Sequence, residues 1–213
     1  MLHSFGMGCL MLATLPFSMA IAAESLGRSQ EASAVLEKTK STSSTYSAYY
    51  WNRITLPNKE PVEEWSAEFH SGNMHRVETP KDRVIADCRA KTGTVLNIVS
   101  GEVMEGPQVA NAACGINTNF AITQIESLGT VRSAFGKLQR VRVADSQNIR
   151  QYDVSGDGVL LAATYSENRT DGHTLLSMKA VKLERELPAR DMFDRSSLQR
   201  SFVSEDYKRA PAH

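Results

Sequence analysis

The stretch YDVSGDGVLLAATYS, Tyr152 to Ser166, holds the densest group of residues able to do chemistry. Asp153, Ser155, Asp157 and Gly158 fall at the first, third, fifth and sixth positions of a calcium loop, where oxygens and a sharp glycine turn surround a hard cation. Such a loop takes a bidentate carboxylate at its twelfth position, which here is Thr164. It also needs flanking helices, and both flanks alternate instead. Tyr152 and Val154 share a face before the turn; Val159, Leu161, Ala163 and Tyr165 share one after it. Ser-Gly-Asp-Gly therefore reads as the turn of a β-hairpin with glycines at positive φ, and no metal is assigned to it.

His70 and His75 flank the Gly72-Asn73 turn, and a histidine pair beside a carboxylate can bind metal or move protons. No third ligand or nucleophile stands at a diagnostic spacing, so the preferred reading is two side chains near a solvated loop tip. A hydrolase built on this pair is the weakest of the functional readings. His173 and His213 stand alone. The chain contains no Gly-x-Ser-x-Gly elbow, phosphate-cradling glycine loop or His-Glu-x-x-His helix. No catalytic residue and no cofactor is expected.

Residues 1–23 carry no Asp, Glu, Lys or Arg, and their apolar run ends in Ala20-Ile21-Ala22-Ala23 before Glu24. That is the form of an export signal cleaved after Ala22 or Ala23, although its start offers only His3 in place of Lys or Arg. Pro16 breaks the run, which is shorter than the roughly 20 apolar residues that span a bilayer. Nothing later resembles it, so no transmembrane segment is expected in the mature chain, and the location read from the leader is secreted, in the periplasm. Cys9 lies inside the apolar run rather than after it and leaves with the leader. Cys88 and Cys114 remain, and in an oxidising compartment the expectation is a disulfide. It would close a loop of about 25 residues and contribute roughly 3 kcal/mol. Two unpaired core thiols are the alternative, and no Cys-x-x-Cys spacing suits zinc.

Lys plus Arg number 24, as do Asp plus Glu, so the formal net charge of the 213 residues is zero. With no basic cluster, nucleic acid is excluded as a partner. The length suits one domain, residues 24–190, followed by a charged tail, 191–213. The tail offers only Met192, Phe193, Leu198, Phe202 and Val203 for docking.

These groups must be positioned by a helix and a run of strands. Ala32, Val35, Leu36 and Thr39 make a helical stripe that Ser29 can cap and Lys38 and Lys40 can close. From Tyr46 the pattern alternates. In EEWSAEFHS, Trp65, Ala67 and Phe69 oppose Glu64, Ser66, Glu68 and His70, which predicts an antiparallel meander with one packed and one wet face. Residues 91–128 are ambiguous between strand and helix. The last third alternates again, and in TLLSMKAVKLERELP the apolar parity slips after Ala180 to Val181 and Leu183, the mark of a β-bulge.

The aromatic residues Tyr49, Trp51, Trp65 and Phe69 either fill an ordinary core or line a cavity inside a curved sheet. Strand parity adds Val77, Val141, Val143 and Tyr152 to the candidate ligand-lining set. The order of the pieces resembles the outer-membrane lipoprotein carrier superfamily, the LolA/LolB-like proteins. The similarity is carried by "SAVLEKTKSTSSTYSAYY" after the leader, then "EEWSAEFHSGNMHRVETPKDRVIADC", "RQYDVSGDGVLLAATY" and the final strand into "ELPARDMF". It covers most of the mature chain. What it implies is an α+β fold, an antiparallel sheet curved into an unclosed barrel packed on an N-terminal helix and short helices, with an apolar cavity. Members carry lipoproteins, hold lipids or sense envelope stress. The Cys88–Cys114 pair, the middle and the tail depart from the pattern, and no family contact residue transfers. The expectation is a periplasmic non-enzymatic binding protein for an apolar or acylated ligand, a lipoprotein included, with an envelope protein as further partner. The alternative is an interaction or sensing module of the same fold with a filled core.

Overall fold

The computed structural model describes residues 17–209 apart from 43, 117, 119, 170, 171 and 187, with side chains from residue 24 onward. Eleven strands alternate apolar and polar side chains: β1 (Tyr46–Ile54), β2 (Val62–Ser71), β3 (Met74–Glu78), β4 (Asp82–Asp87), β5 (Thr92–Asn97), β6 (Val103–Glu105), β7 (Gln124–Ser133), β8 (Gly136–Ala144), β9 (Asn148–Ser155), β10 (Leu160–Glu167) and β11 (Thr174–Glu184). They form one antiparallel sheet in the order β6-β5-β4-β3-β2-β1-β11-β10-β9-β8-β7, which leaves β6 and β7 as free edges. The expected unclosed antiparallel architecture is the one observed. Only the contact of β1 with β11 joins distant parts of the chain; every other neighbour is a hairpin partner.

Helix α1 (Phe17–Lys40) enters the helical state well before Ser29, which lies inside it instead of capping it. Between Phe17 and Ser29 only Gly27 weakens helix propensity, too little to stop propagation. Of the proposed leader, residues 1–16 with Cys9 lie outside the described residues, as does His213. The buried stripe Ala32, Val35 and Leu36 packs on Val141, Val143, Tyr152, Val154 and Ala163. Thr39 joins it: its hydroxyl donates to Leu36 O at 2.7 Å and accepts from Ile116 N at 3.1 Å.

The ambiguous middle resolves into the β5–β6 hairpin, helix α2 (Pro107–Ala113) and strand β7. Helix α2 lies directly on β5 because residue 93 is glycine: a Cβ there would stand 2.9 Å from Ala110 N. Cys114 ends α2 and is bonded to Cys88, with Cα atoms 5.5 Å apart. The parity slip in β11 is the expected bulge. Tyr49 pairs with Lys182 and Tyr50 with Ala180, so Val181 is the extra residue, and it is exposed.

The first half of the sheet is covered on both sides, not one. Three single-turn 3-10 helices, Arg190–Phe193, Arg195–Gln199 and Glu205–Tyr207, lay the tail across the face bearing Tyr49, Ala67, Phe69, Ile85 and Leu96. Met192, Leu198 and Val203 are buried there, with Phe193 and Phe202 packed beside them. Helix α2 covers the other face, and the predicted wet side of β2 points inward at Glu68 and His70.

Candidate ligand-binding hollow

Register decides which side chains meet behind α2. Opposite Ala48 on β1 stands Glu68 on β2, and opposite Glu68 stands Val77 on β3; one step away, His70 pairs with His75. All four of the β2 and β3 residues face inward. From the far half of the sheet, Tyr152 on β9 pairs with Ala163 on β10, which pairs with Met178 on β11. Between these walls and α2 lies a hollow of about 420 Å³. Val77, Ala112 and Ala113 bound one side, Leu160, Leu176 and Met178 another, and Ile116 and Phe120 from the loop after α2 complete it. A second apolar hollow of about 240 Å³ shares Val77, Ala112 and Ala113 and runs on under α2 to Val84, Val95 and Met104.

Glu68 is the acidic residue among those lining the main hollow, which also include Arg150, Tyr152 and Tyr165. Glu68 lies deep in the protein, keeps some accessible surface and lines the hollow. Burial pushes its carboxyl up to about 7, while the hydroxyls of Tyr50 and Tyr46 pull in the other direction. Tyr50 Oη is 2.8 Å from Leu160 O and 3.2 Å from a Glu68 oxygen. Both oxygens accept, so the single Tyr50 hydrogen is shared between Leu160 O and Glu68. Tyr46 Oη reaches the same Glu68 oxygen at 3.4 Å. No Lys or Arg forms an ion pair with Glu68 among the described residues.

Beside Glu68 is a small chamber of about 50 Å³ lined by Tyr46, His70, His75 and the Cys88–Cys114 bridge. The two histidines are 4% exposed each, which overturns the solvated-turn reading. The turn itself is exposed, but the hairpin register turns both rings to the inner face. Their tautomers follow from their partners. His70 Nε2 lies 3.1 Å from Thr42 O and must donate to it, so His70 Nδ1 accepts from His75 Nδ1 at 3.3 Å. His75 Nε2 is then a bare lone pair, and it has no partner among the described residues. Burial, with His70 as a lesser cause, pushes His75 down to about 3; burial also lowers His70. At neutral pH both rings are uncharged.

At the rim, Arg150 stacks 3.9 Å over Phe120 and pairs with Asp145 at 2.7 Å. The Asp-rich stretch is the β9–β10 hairpin. Asp153 makes two bonds to Arg140, at 2.7 and 2.8 Å. Asp157 accepts from Ser44 Oγ at 2.8 Å and pairs with Arg185. Gly158, at φ +89°, lies so close to Lys38 O that a Cβ would be 2.7 Å from it. Asp157 ties the turn to the segment after α1 and to Arg185 just past β11, while Asp153 ties β9 to β8.

The structure divides the residues named from parity. Val77 and Tyr152 line the hollow. Val141 and Val143 are sealed against α1 with no exposed surface. Tyr49, Trp65 and Phe69 lie on the opposite side of the sheet under the tail, and Trp51, paired with Trp65, is on that side too. An aromatic stripe marks a packed face but not what packs on it. The residues that do line the hollow and were not singled out, Glu68, Ile116, Phe120, Leu160, Leu176 and Met178, carried one legible sign: Glu68 and His70 share a parity within an otherwise ordinary strand.

No protein-family model matches the chain, and no curated protein matches it in sequence. Solved structures match it in fold. An uncharacterized conserved protein from Thermus thermophilus has a TM-score of 0.52 at 14% identity, over 84% of this chain and 98% of that one. MucB has a TM-score of 0.51 at 13% identity, over 80% of this chain and 64% of MucB. A LolA superfamily protein, NE2245 from Nitrosomonas europaea, gives 0.43 at 9% identity, over 78% of this chain and 99% of that one. At such identities the first two likenesses establish shared fold alone. The unclosed antiparallel sheet on an N-terminal helix is the fold shared with the Thermus thermophilus protein and MucB.

Proposed function

We propose that this chain is an exported, non-enzymatic protein that binds an apolar or acylated ligand, a lipid or the acyl end of a lipoprotein, in the hollow behind α2. The observation that supports this most is the unfilled apolar space itself, bounded by Val77, Ile116, Phe120, Leu176 and Met178 and continued by the second hollow under α2. Ligand pockets have volumes of about 300–1,000 Å³ and this kind of lining. Each methylene removed from water contributes about 0.8 kcal/mol, so a single acyl chain is held by area and released without a covalent step. No described helix is long and apolar enough to cross a membrane. The leader and the paired cysteines support an oxidising, periplasmic location. Val77 and Tyr152 are the lining residues retained from strand parity.

A second reading, an interaction or sensing module, draws on a different observation: the aromatic side of the first half-sheet is filled by the protein's own tail. The two readings separate by native mass spectrometry of protein purified from the periplasm without detergent, before and after solvent extraction. A bound lipid mass that extraction removes, with uptake of an added fatty-acyl probe, is the outcome expected of the carrier. A clean apo mass with no uptake would overturn it in favour of the interaction module.

A further inference from the structure

We infer that the inner end of the hollow takes a cationic hydrogen-bond donor on the ligand, a primary ammonium group, with the Glu68 carboxylate as its acceptor. This rests on the binding reading above and names the head group that goes with the apolar chain. The hollow is lined mostly by apolar side chains, the Arg150 in its wall is already paired, and Glu68 has no cation of its own among the described residues.

The groups around Glu68 are acceptors or are already committed. Tyr50 has one hydrogen for both Leu160 O at 2.8 Å and Glu68 at 3.2 Å, and Tyr46 is a weak donor at 3.4 Å. From β2 and β3, His70 is bonded to Thr42 O, and His75 presents a lone pair, unpartnered among the described residues, in the adjoining chamber. Lys40 lines that chamber, but its Nζ is bonded to Glu37 at 2.8 Å and Thr118 at 3.0 Å. Arg185 and Asp157 lie beyond Tyr46 and are paired with each other. A buried acid among acceptors is the inverse of an anion site. Arg150, the one cation among the described residues in the wall of the main hollow, is already paired with Asp145 and stacked on Phe120.

Burial alone keeps Glu68 protonated up to about 7. An ammonium group entering the hollow favours the carboxylate and draws the proton off, so the pair forms as a charge-assisted hydrogen bond in a water-poor site. A primary amine stays protonated to about pH 10, well above the range in which Glu68 titrates.

The test is calorimetric titration of the full protein with decylamine, decanol and decanoate, each below its aggregation concentration. Near about pH 8.5, decylamine should bind about tenfold or more tightly than decanol, as for a buried hydrogen bond to a charged group. Glu68→Gln should erase that gap, and lowering wild type to about pH 5.5 should shrink it by protonating the acid. The pH series on wild type decides the matter if the variant does not fold. Equal binding of amine and alcohol, or a gap indifferent to Glu68 and to pH, overturns the ammonium site and leaves the binding reading intact. Binding of none of the three probes overturns both.

Discussion

Arg76 Nε sits 2.7 Å from Glu78 Oε1, and neither side chain has any exposed surface. The pair is the anchor of the tail. Arg76 donates to Met192 O, Ser197 Oγ, Ser197 O and Arg200 O, while Glu78 accepts from Ser201 Oγ and Phe202 N. A buried pair is offset against its own desolvation only when its remaining donors and acceptors are satisfied, and here tail backbone satisfies them.

Removing one partner should therefore cost more than removing both. Arg76→Met strands the Glu78 charge and frees four tail acceptors, with an expected loss of about 3–5 kcal/mol. The double change Arg76→Met/Glu78→Leu should recover part of it. Urea denaturation of the three proteins measures the difference, and limited proteolysis of the single variant should cut first between residues 190 and 209.

The Cys88–Cys114 bond ties the end of α2 to the turn after β4, across 26 residues of sequence. Cys88→Ser/Cys114→Ser should lose about 3 kcal/mol by the loop-entropy estimate. Because Ala112 and Ala113 sit within one turn of the bond and line the hollow, acyl-probe affinity should fall as well. Intact mass after alkylation under denaturing, unreduced conditions checks the bond directly: wild type should gain no alkyl group on either cysteine.

Two buried groups should pull stability in opposite directions with pH. Glu68, raised by burial from 4.5 to about 7, holds its proton when folded and loses it when unfolded, so its contribution falls as pH rises through that interval. His75, lowered by burial from 6.5 to about 3, does the reverse, as does His70: the unfolded chain takes up protons that the fold excludes, so stability rises with pH across that interval. The slopes offset each other where the windows overlap. Glu68→Gln should unmask the histidine slope and raise stability above about pH 7.5 by at most about 3 kcal/mol, less what water in the hollow already relieves. Urea midpoints from about pH 5 to about pH 8 read both effects.

Ala112 is an exposed residue of α2 that borders both hollows. Ala112→Trp should place an indole over their junction at a stability change within about 1 kcal/mol, since no core contact is displaced. Uptake of a fatty-acyl probe should drop by an order of magnitude or more, measured by fluorescence titration; unchanged uptake would mean the chain lies elsewhere.

Outside residues 91–128, alternation by itself determined the strands, the hairpin in place of a calcium loop, and the bulge at Val181, because period and its slips are local properties of the chain. The pairing of Cys88 with Cys114 was legible in the cysteine count. Which face of β2 would be inner was not local. Trp65, Ala67 and Phe69 announce a packed face, yet the partner that packs on it arrives from residues 190–207, and only the tertiary structure brings that tail across the sheet. Once the tail takes the aromatic side, Glu68, His70 and His75 are turned inward beneath α2, and the side that reads as solvent-facing becomes the wall of the hollow. Parity assigns residues to two faces; long-range packing decides what each face meets.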